Sequence, residues 1–389
     1  MLTLLIFLAV LSVLVLVHEA GHYLAARACG VRADEFGYGF PPRLVGFVKE
    51  KGRWRRVRRG EQTAEDTIWS INWLPLGGFV RLKGEQGEAG QDQDSFQSKS
   101  AWKRLFILAA GVGMNWLLAI AIFSVAFSIG VPTELENLSA AARVRDTAVR
   151  VTEVLPGSSA EKAGLLPGDS VREINAVPVT DAAQARDVLA QADPDAALRL
   201  TVRDEKTDVT RTIETSLSFV EALGRPGLGV ALADVGTVSY PVPLAIIEGV
   251  RVTASYTWMV VLGFYTLLKD LVSGLKPSAD ISGPVGIAVL TGRIAEQGAW
   301  SLMHFTAILS INLAVINFLP IPALDGGRVL FIVIETLRRR KVKLSLEAAV
   351  HRIGFALLLL LIALVTLQDL RRYGGAILHG IGRAVGLTS

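Results

Sequence analysis

His18 and His22 stand four residues apart with Glu19 beside the first of them, in the run VHEAGHY. On a helix that spacing puts both imidazoles on one face, one turn apart, where together they can hold a single Zn2+. Glu19 projects near the same point without needing to ligate, which suits a general base acting on an attacking water. The pattern is short and occurs by chance, and a solvated helix end is the plain alternative. Its position argues for chemistry, because the apolar stretch that carries it begins at Met1. An ionisable side chain at bilayer depth costs at least ~2.5 kcal/mol, so three within one turn need a compensating partner such as a metal ion.

Two imidazoles leave a catalytic zinc one protein ligand short of the usual three. Cys29 is the only cysteine, which excludes thiolate zinc sites and internal disulfides and leaves His and carboxylate as the donors. The best third candidate is Asp325, which interrupts a distant apolar segment in NFLPIPALDGG. Pro320 and Pro322 in that run remove helix hydrogen bonds and push the residues before them out of the α region. The segment should therefore unwind beside Asp325, either for packing or to expose backbone. In the second case its free backbone and the amides of Asn312 and Asn317 can hold an extended substrate strand. A hairpin expected over Trp69–Leu82 can supply the other edge.

These residues need a membrane-embedded frame. The chain has 389 residues, 51% hydrophobic and 20% charged, with a mean hydropathy of +0.43, too apolar for an ordinary soluble protein. A net charge of +4 does not suggest a nucleic-acid binder. Four stretches are long enough for a ~30 Å hydrocarbon core: Met1–Ala26, Leu105–Val131, Phe305–Ile334 with its interruption, and Ile353–Leu370. A shorter one, Thr257–Leu268, reads as an amphipathic helix lying at the surface. The basic runs RWRRVRR (Arg53–Arg59) and RRRKVK (Arg338–Lys343) read as solvated juxtamembrane loops on the cytoplasmic side. Four spans satisfy that rule and five do not. Both His18/His22 and Asp325 then approach the cytoplasmic half of the membrane.

Between the second and third spans the composition becomes that of a soluble domain. Alternating strands, turns at Pro156–Gly157 and Pro167–Asp169, and helices at Ser159–Ala163 and Ala182–Ala192 make a succession that resembles a PDZ domain. GLGV (Gly227–Val230) resembles the glycine loop that receives a peptide carboxylate in such domains. Asp66–Glu85 alternates like two strands around Pro75–Gly78, with apolar residues on both faces. A strand pair buried on both sides explains this, as does a hairpin dipping into the membrane region. Gly111 and Asn115 in GVGMN suggest close helix packing, with a polar contact from Asn115 to the catalytic region as the alternative. His304, His351 and His379 read as packing or interfacial residues.

Taken together, HEAGH, NFLPIPALDGG, PLGGFVRLKGE, the approach SFQSKSAWKRLFILAAGVGMN and SGPVGIA resemble the site-2 protease family of intramembrane zinc metalloproteases, most closely its RseP type, over nearly the whole chain. The fold this implies is a polytopic α-helical membrane protein of about four transmembrane helices, with a membrane-associated β-hairpin at about 66–85 and one α+β PDZ domain. Its parts would be residues 1–131 (spans one and two), 132–235 (extracytoplasmic PDZ domain), 236–304 (interfacial linker) and 305–389 (spans three and four). The resemblance implies Zn2+ held by His18, His22 and Asp325, with Glu19 as base. Asn312, Asn317, Pro320, Pro322 and the hairpin residues Gly77, Gly78 and Phe79 would bind substrate. It also implies an inner-membrane enzyme that cuts single-pass membrane proteins already trimmed by another protease, such as anti-sigma factors or remnant signal peptides. The PDZ domain would take a peptide ligand. The alternative is a non-proteolytic membrane scaffold with a structural or degenerate metal site.

Overall fold

The computed structural model describes residues 2–58, 61, 66–85, 92–136, 138–193, 196–204, 207–220, 224–274 and 282–384. Arg59 and the side chain of His379 lie outside the described set. The chain divides into two compact units, one of residues 1–124 and 246–389 and one of Val125–Ala245.

The first unit opens with helix α1 (Leu2–Ala28), followed by strands β1 (Ala33–Glu50), β2 (Arg53–Arg56) and β3 (Ile68–Leu82), then helix α2 (Ala101–Ile129). The expected hairpin is not formed by its two halves pairing with each other. Residues 33–40 of β1 lie between them, with Phe36 opposite Val80 on one side and opposite Trp69 on the other. Residues 43–47 return along the far edge of 68–72, and β2 pairs outside them, with Lys49 opposite Trp54. Alternation in the sequence marks strands but does not name their partners. As a result 78–82 is an edge strand. The sheet is not buried on both faces either: Ile68, Ser70 and Asn72 are buried while Trp69, Ile71 and Trp73 are exposed. Glu35, buried in this sheet, is held by Arg43 and Arg81. In the basic run, Arg55 pairs with Glu50 and Glu61 at 2.7 Å and holds the Glu61 carboxyl down to about 2.

The second unit is a sheet in the order β4 (Val131–Glu134), β12 (Val230–Ser239), β5 (Arg143–Val154), β6 (Ser170–Ile174), β8 (Leu198–Asp204), β9 (Val209–Thr215), with β7 (Val177–Pro178) on β6. A small ribbon of β10 (Ser218–Val220) and β11 (Arg225–Gly227) stands beside it. Helices α3 (Ser159–Lys162) and α4 (Ala182–Gln191) are capped by Ser158 and Asp181, each accepting a backbone N–H of its first turn. Val149, Val151, Ile174, Leu198, Leu200 and Val202 fill its core. On the β4 side, pairing to β12 covers only 235–238. A groove of about 490 Å³, lined by Leu189, Leu228, Val230 and Leu232, lies along the first half of β12.

The first unit resumes with helix α5 (Val242–Val272), then α6 (Pro284–Glu296), α7 (Ala299–Phe318), α8 (Asp325–Arg338) and α9 (Leu344–Ala384). Thr257–Leu268 is thus the middle of a 31-residue helix rather than a short one. Among the described residues five helices are long and apolar enough to cross a membrane, α5 included, against the four expected. The third apolar segment breaks as Pro320 and Pro322 require, into α7 and α8 with Leu319–Leu324 between them. The first residues of α8 pack tightly on that break: a β-carbon at Gly326 would lie 2.1 Å from the Leu319 oxygen, and one at Gly327 2.4 Å from the Ile321 oxygen. Only glycine permits this approach.

Packing fixes the direction of the helices. Gly292 of α6 meets Thr3 of α1, and Gly286 N–H donates to Asp369 of α9 at 2.7 Å. His304 near the start of α7 meets Phe123 near the end of α2, Ser310 donates to the Asn115 oxygen, and Asn317 at the end of α7 reaches His18. So α7 runs in the same sense as α1 and antiparallel to α2. At the His18 end, Ala25, Val31, Leu82, Phe96, Ile107 and Ile332 form one buried cluster, each large side chain contributing roughly 1.5–3 kcal/mol. Arg104 of α2 pairs with Glu335 of α8 at 2.7 Å, both nearly buried, and ties the start of one helix to the end of the other.

Candidate metal centre

The buried face of α1 carries both histidines, and its packing on α2 confines them. Where the helices cross, a β-carbon on Gly21 would come within 2.4 Å of the Ala110 oxygen, and one on Gly111 within 2.4 Å of His22 Nε2. The small residue in GVGMN therefore does serve close packing, and the imidazole is what it accommodates. Asn115 makes the polar contact as well.

From α8, Asp325 approaches as the first residue of its helix, where the helix dipole favours a carboxylate. Its Oδ2 lies 3.0 Å from His18 Nε2 and 3.2 Å from His22 Nε2, and the two Nε2 atoms are 3.2 Å apart. Among the described residues this is the one group of three His, Cys or carboxylate donors close enough to share an ion. Ligands on a tetrahedral zinc with bonds of about 2.0–2.1 Å stand roughly 3.3 Å from one another, so the triangle has the size of a coordination face.

The second nitrogens test whether the lone pairs are free to ligate. His22 Nδ1–H donates to the Ile107 oxygen at 2.9 Å, which leaves Nε2 bare. His18 Nδ1 faces the side-chain nitrogen of Asn115 at 3.3 Å, while Asn115 Oδ1 is buried without a partner. The two ends of an amide are nearly the same shape. Turned over, Asn115 gives Oδ1 a donor in His18 Nδ1–H and leaves His18 Nε2 for the metal. The residues present fit a zinc ion.

Glu19 sits beside this triangle, its Oε2 accepting the Val80 N–H at 2.9 Å. That amide points off the free edge of strand 78–82. The next one on the same side, Leu82 N–H, reaches Glu85 at 3.3 Å, and Glu85 in turn pairs with Arg328 of α8. A cavity of about 980 Å³ opens here, lined by Glu19, His22 and Asp325, by Phe79, Val80 and Leu82 of the strand, and by His351 of α9.

The other residues singled out in the sequence scatter around this point. Asn317 lies 3.5 Å from His18 Nε2, whereas the Asn312 amide donates to Ile308 of its own helix and does not line the cavity. Pro320 and Pro322 form the break before Asp325, and Pro322 packs on Gly354 of α9. Gly77 and Gly78 seat the sheet on Val15 and Leu16 of α1, with Gly77 at a φ of +87°. Arg328, Glu85 and His351 were not anticipated at the site. A charge directly after the two glycines that follow Asp325, in an apolar segment, is the available signal for Arg328.

The model of peptidase family M50 matches residues 6–361. A protein of Clostridium perfringens that carries a zinc metalloprotease name is 32% identical over 92% of this chain and 96% of its own length. A Rhizobium meliloti protein with the same kind of name is 32% identical over 94% and 95%, and the zinc metalloprotease RasP of Geobacillus kaustophilus is 28% identical over 94% and 97%. Among solved structures, the PDZ domain of an SdrC-like protein from Listeria monocytogenes matches 23% of this chain and 92% of its own, at 20% identity and a TM-score of 0.21.

Proposed function

Because the chain belongs to peptidase family M50, we propose that it is an intramembrane zinc endopeptidase cutting single-pass membrane proteins within or beside their transmembrane segment. The observation that carries this is a three-donor triangle with a carboxylate beside it, at a cavity lined by Glu19, His22 and Asp325 and by the edge strand 78–82. Zinc held by His18, His22 and Asp325 would supply Lewis acidity toward the scissile carbonyl and the attacking water. Glu19 accepts the water's proton and delivers it to the leaving amine. A transmembrane helix hides its carbonyls in internal hydrogen bonds, so the substrate has to bind extended. Strand 78–82 offers its edge for that, with Asn317 and the unwound turn at Pro320–Pro322 beside it.

Four spans are proposed: α1, α2, the α7–α8 segment and α9. α6 packs on Thr3 and Asp369, and α7 starts near Phe123, so both begin at the end of the bundle away from His18. α5 starts at that end too, since Gly249 rests on Ser124 of α2. Eleven residues separate Val272 from Pro284 (284 − 272 − 1). A connection this short cannot recross a ~30 Å core as a helix at ~1.5 Å per residue, and as non-helical chain it would carry unpaired backbone into lipid, which is not tolerated. α5 therefore lies along the surface. With Arg53–Arg58 and Arg338–Lys343 inside, the His18 end is cytoplasmic and residues 132–235 are an extracytoplasmic PDZ domain whose groove along β12 takes a peptide. The enzyme resides in the inner membrane and takes substrates trimmed by another protease, with anti-sigma factors and remnant signal peptides as the substrate classes.

No observation favours the scaffold reading, in which Glu19 has no task. Reconstituted in liposomes with a single-pass substrate, Glu19→Gln should keep zinc and lose cleavage; cleavage that persists and resists chelation would overturn the mechanism.

A further inference from the structure

The groove along β12 is bounded at both ends. At the first, the Leu228 oxygen accepts the Ala160 N–H at 3.1 Å and the Gly229 oxygen accepts the Leu155 N–H at 2.9 Å. In a trans peptide the N–H points opposite to the C=O, so the N–H groups of Gly229 and Val230 turn away from these partners, and both residues line the groove. Gly229 has a φ of +75°, and a β-carbon there would lie 2.4 Å from that of Ser158, so the position needs glycine. Two neighbouring amides turned the same way make an anion-binding concavity. Arg186 and Arg225 also line the groove, and among the described residues no carboxylate does. This end suits the free carboxyl group of a chain.

A carboxylate held there sets the direction of its chain. The chain lies antiparallel to β12, with its last residue opposite Val230 and the three before it opposite 231, 232 and 233. At the next position the edge closes: Leu135 N–H donates to the Asp234 oxygen at 2.8 Å, and β4 pairs with β12 from Val235 onward. Since β4 is itself antiparallel to β12, it lies in line with a docked chain and fills the place of its fifth residue. Asp234 turns its C=O to this edge, so by alternation Leu232 and Val230 do too. A docked chain therefore bonds at Val230 and Leu232 and finds Asp234 taken. The groove stops at the same place, Leu232 being the last residue of β12 that lines it.

We infer, on the PDZ reading of this unit, that Leu135 and β4 are a stop that limits the ligand to a free C-terminus with four residues in the sheet. The glycine loop selects a chain end, and the stop makes four residues of it sufficient. Earlier residues leave the sheet at Asp234, so a partner folded close to its terminus docks as well as one with a long extended tail.

Binding is measured by fluorescence anisotropy on the full chain in detergent, as Glu19→Gln so that no peptide is cut. The probe is an octapeptide with a free carboxyl end, selected from a randomised library and counter-selected on Ala190→Trp, which fills the groove from an exposed helix position. Its last four residues alone should bind within about twofold of the whole. N-methylation of the third residue from the end removes the bond to Leu232 and should weaken binding about fivefold, the size of one hydrogen bond; N-methylation of the fifth should change nothing. An octapeptide that binds about fivefold or more tightly than its last four residues, or that is weakened by N-methylation of the fifth, overturns the stop and leaves the groove a peptide site. If no octapeptide is selected, or if amidating its end leaves binding unchanged, the PDZ reading fails and the stop fails with it.

Discussion

Gly111 of α2 and His22 of α1 leave no room between them: a β-carbon on Gly111 would lie 2.4 Å from Nε2, the atom that faces Asp325. Alanine is the better helix former, so Gly111→Ala should leave α2 intact and displace the imidazole. Zinc affinity should fall at least about tenfold, as when a ligand loses its support. Competition with a chromophoric chelator measures it.

Asp325 is the one carboxylate in the triangle. Asp325→Ala leaves two imidazoles, too few for a tight catalytic site. The purified variant should hold little zinc where the parent holds about one ion per chain, by metal analysis after dialysis. Parental zinc content would mean that the third ligand lies elsewhere.

Asn115 should act through His18. Asn115→Asp keeps an acceptor for Nδ1–H and should keep zinc, whereas Asn115→Leu removes it and should weaken zinc about 10- to 100-fold. Equal affinities in the two variants, from the same chelator competition, would refute the turned amide.

Asp369 lies buried on α9 and accepts the Gly286 N–H in the first turn of α6, where Gly283 offers no side-chain cap. Asp369→Ala should cost about 1–2 kcal/mol, in the range of a lost helix cap, and Asp369→Asn less. Thermal unfolding in detergent reads both. Cleavage per folded molecule should be unchanged, since Asp369 does not line the cavity.

The metal triangle was legible because its residues are rare in their setting. HEAGH and Asp325 are charges in apolar runs, and Pro320 and Pro322 announced the break that separates α7 from α8. Directionality was legible too, since α1 and α7 run alike. The sheet was not. FVRL and WSIN alternate as strands should, but register and partner depend on residues 33–40, which insert between them, and long-range pairing leaves no local trace. Asn115 was ambiguous for a related reason: a small residue and an amide four apart fit helix packing and histidine support equally, and here they do both. Arg251, Lys269 and Asp270 look like helix boundaries around Thr257–Leu268 in the sequence, whereas α5 runs through all three.

The edge amides of Val80 and Leu82 already have carboxylate acceptors in Glu19 and Glu85. A segment that docks there exchanges bonds instead of adding them, so the edge by itself contributes little net attraction. If the chain acts as proposed, what then ranks competing segments is how readily each abandons its helix. Stretches rich in glycine, asparagine, proline or β-branched residues, for which helix is least favourable, would be admitted first, and a leucine- and alanine-rich span would be passed over although it contains the same peptide bonds. The same two carboxylates also keep the empty edge from pairing with another copy of itself.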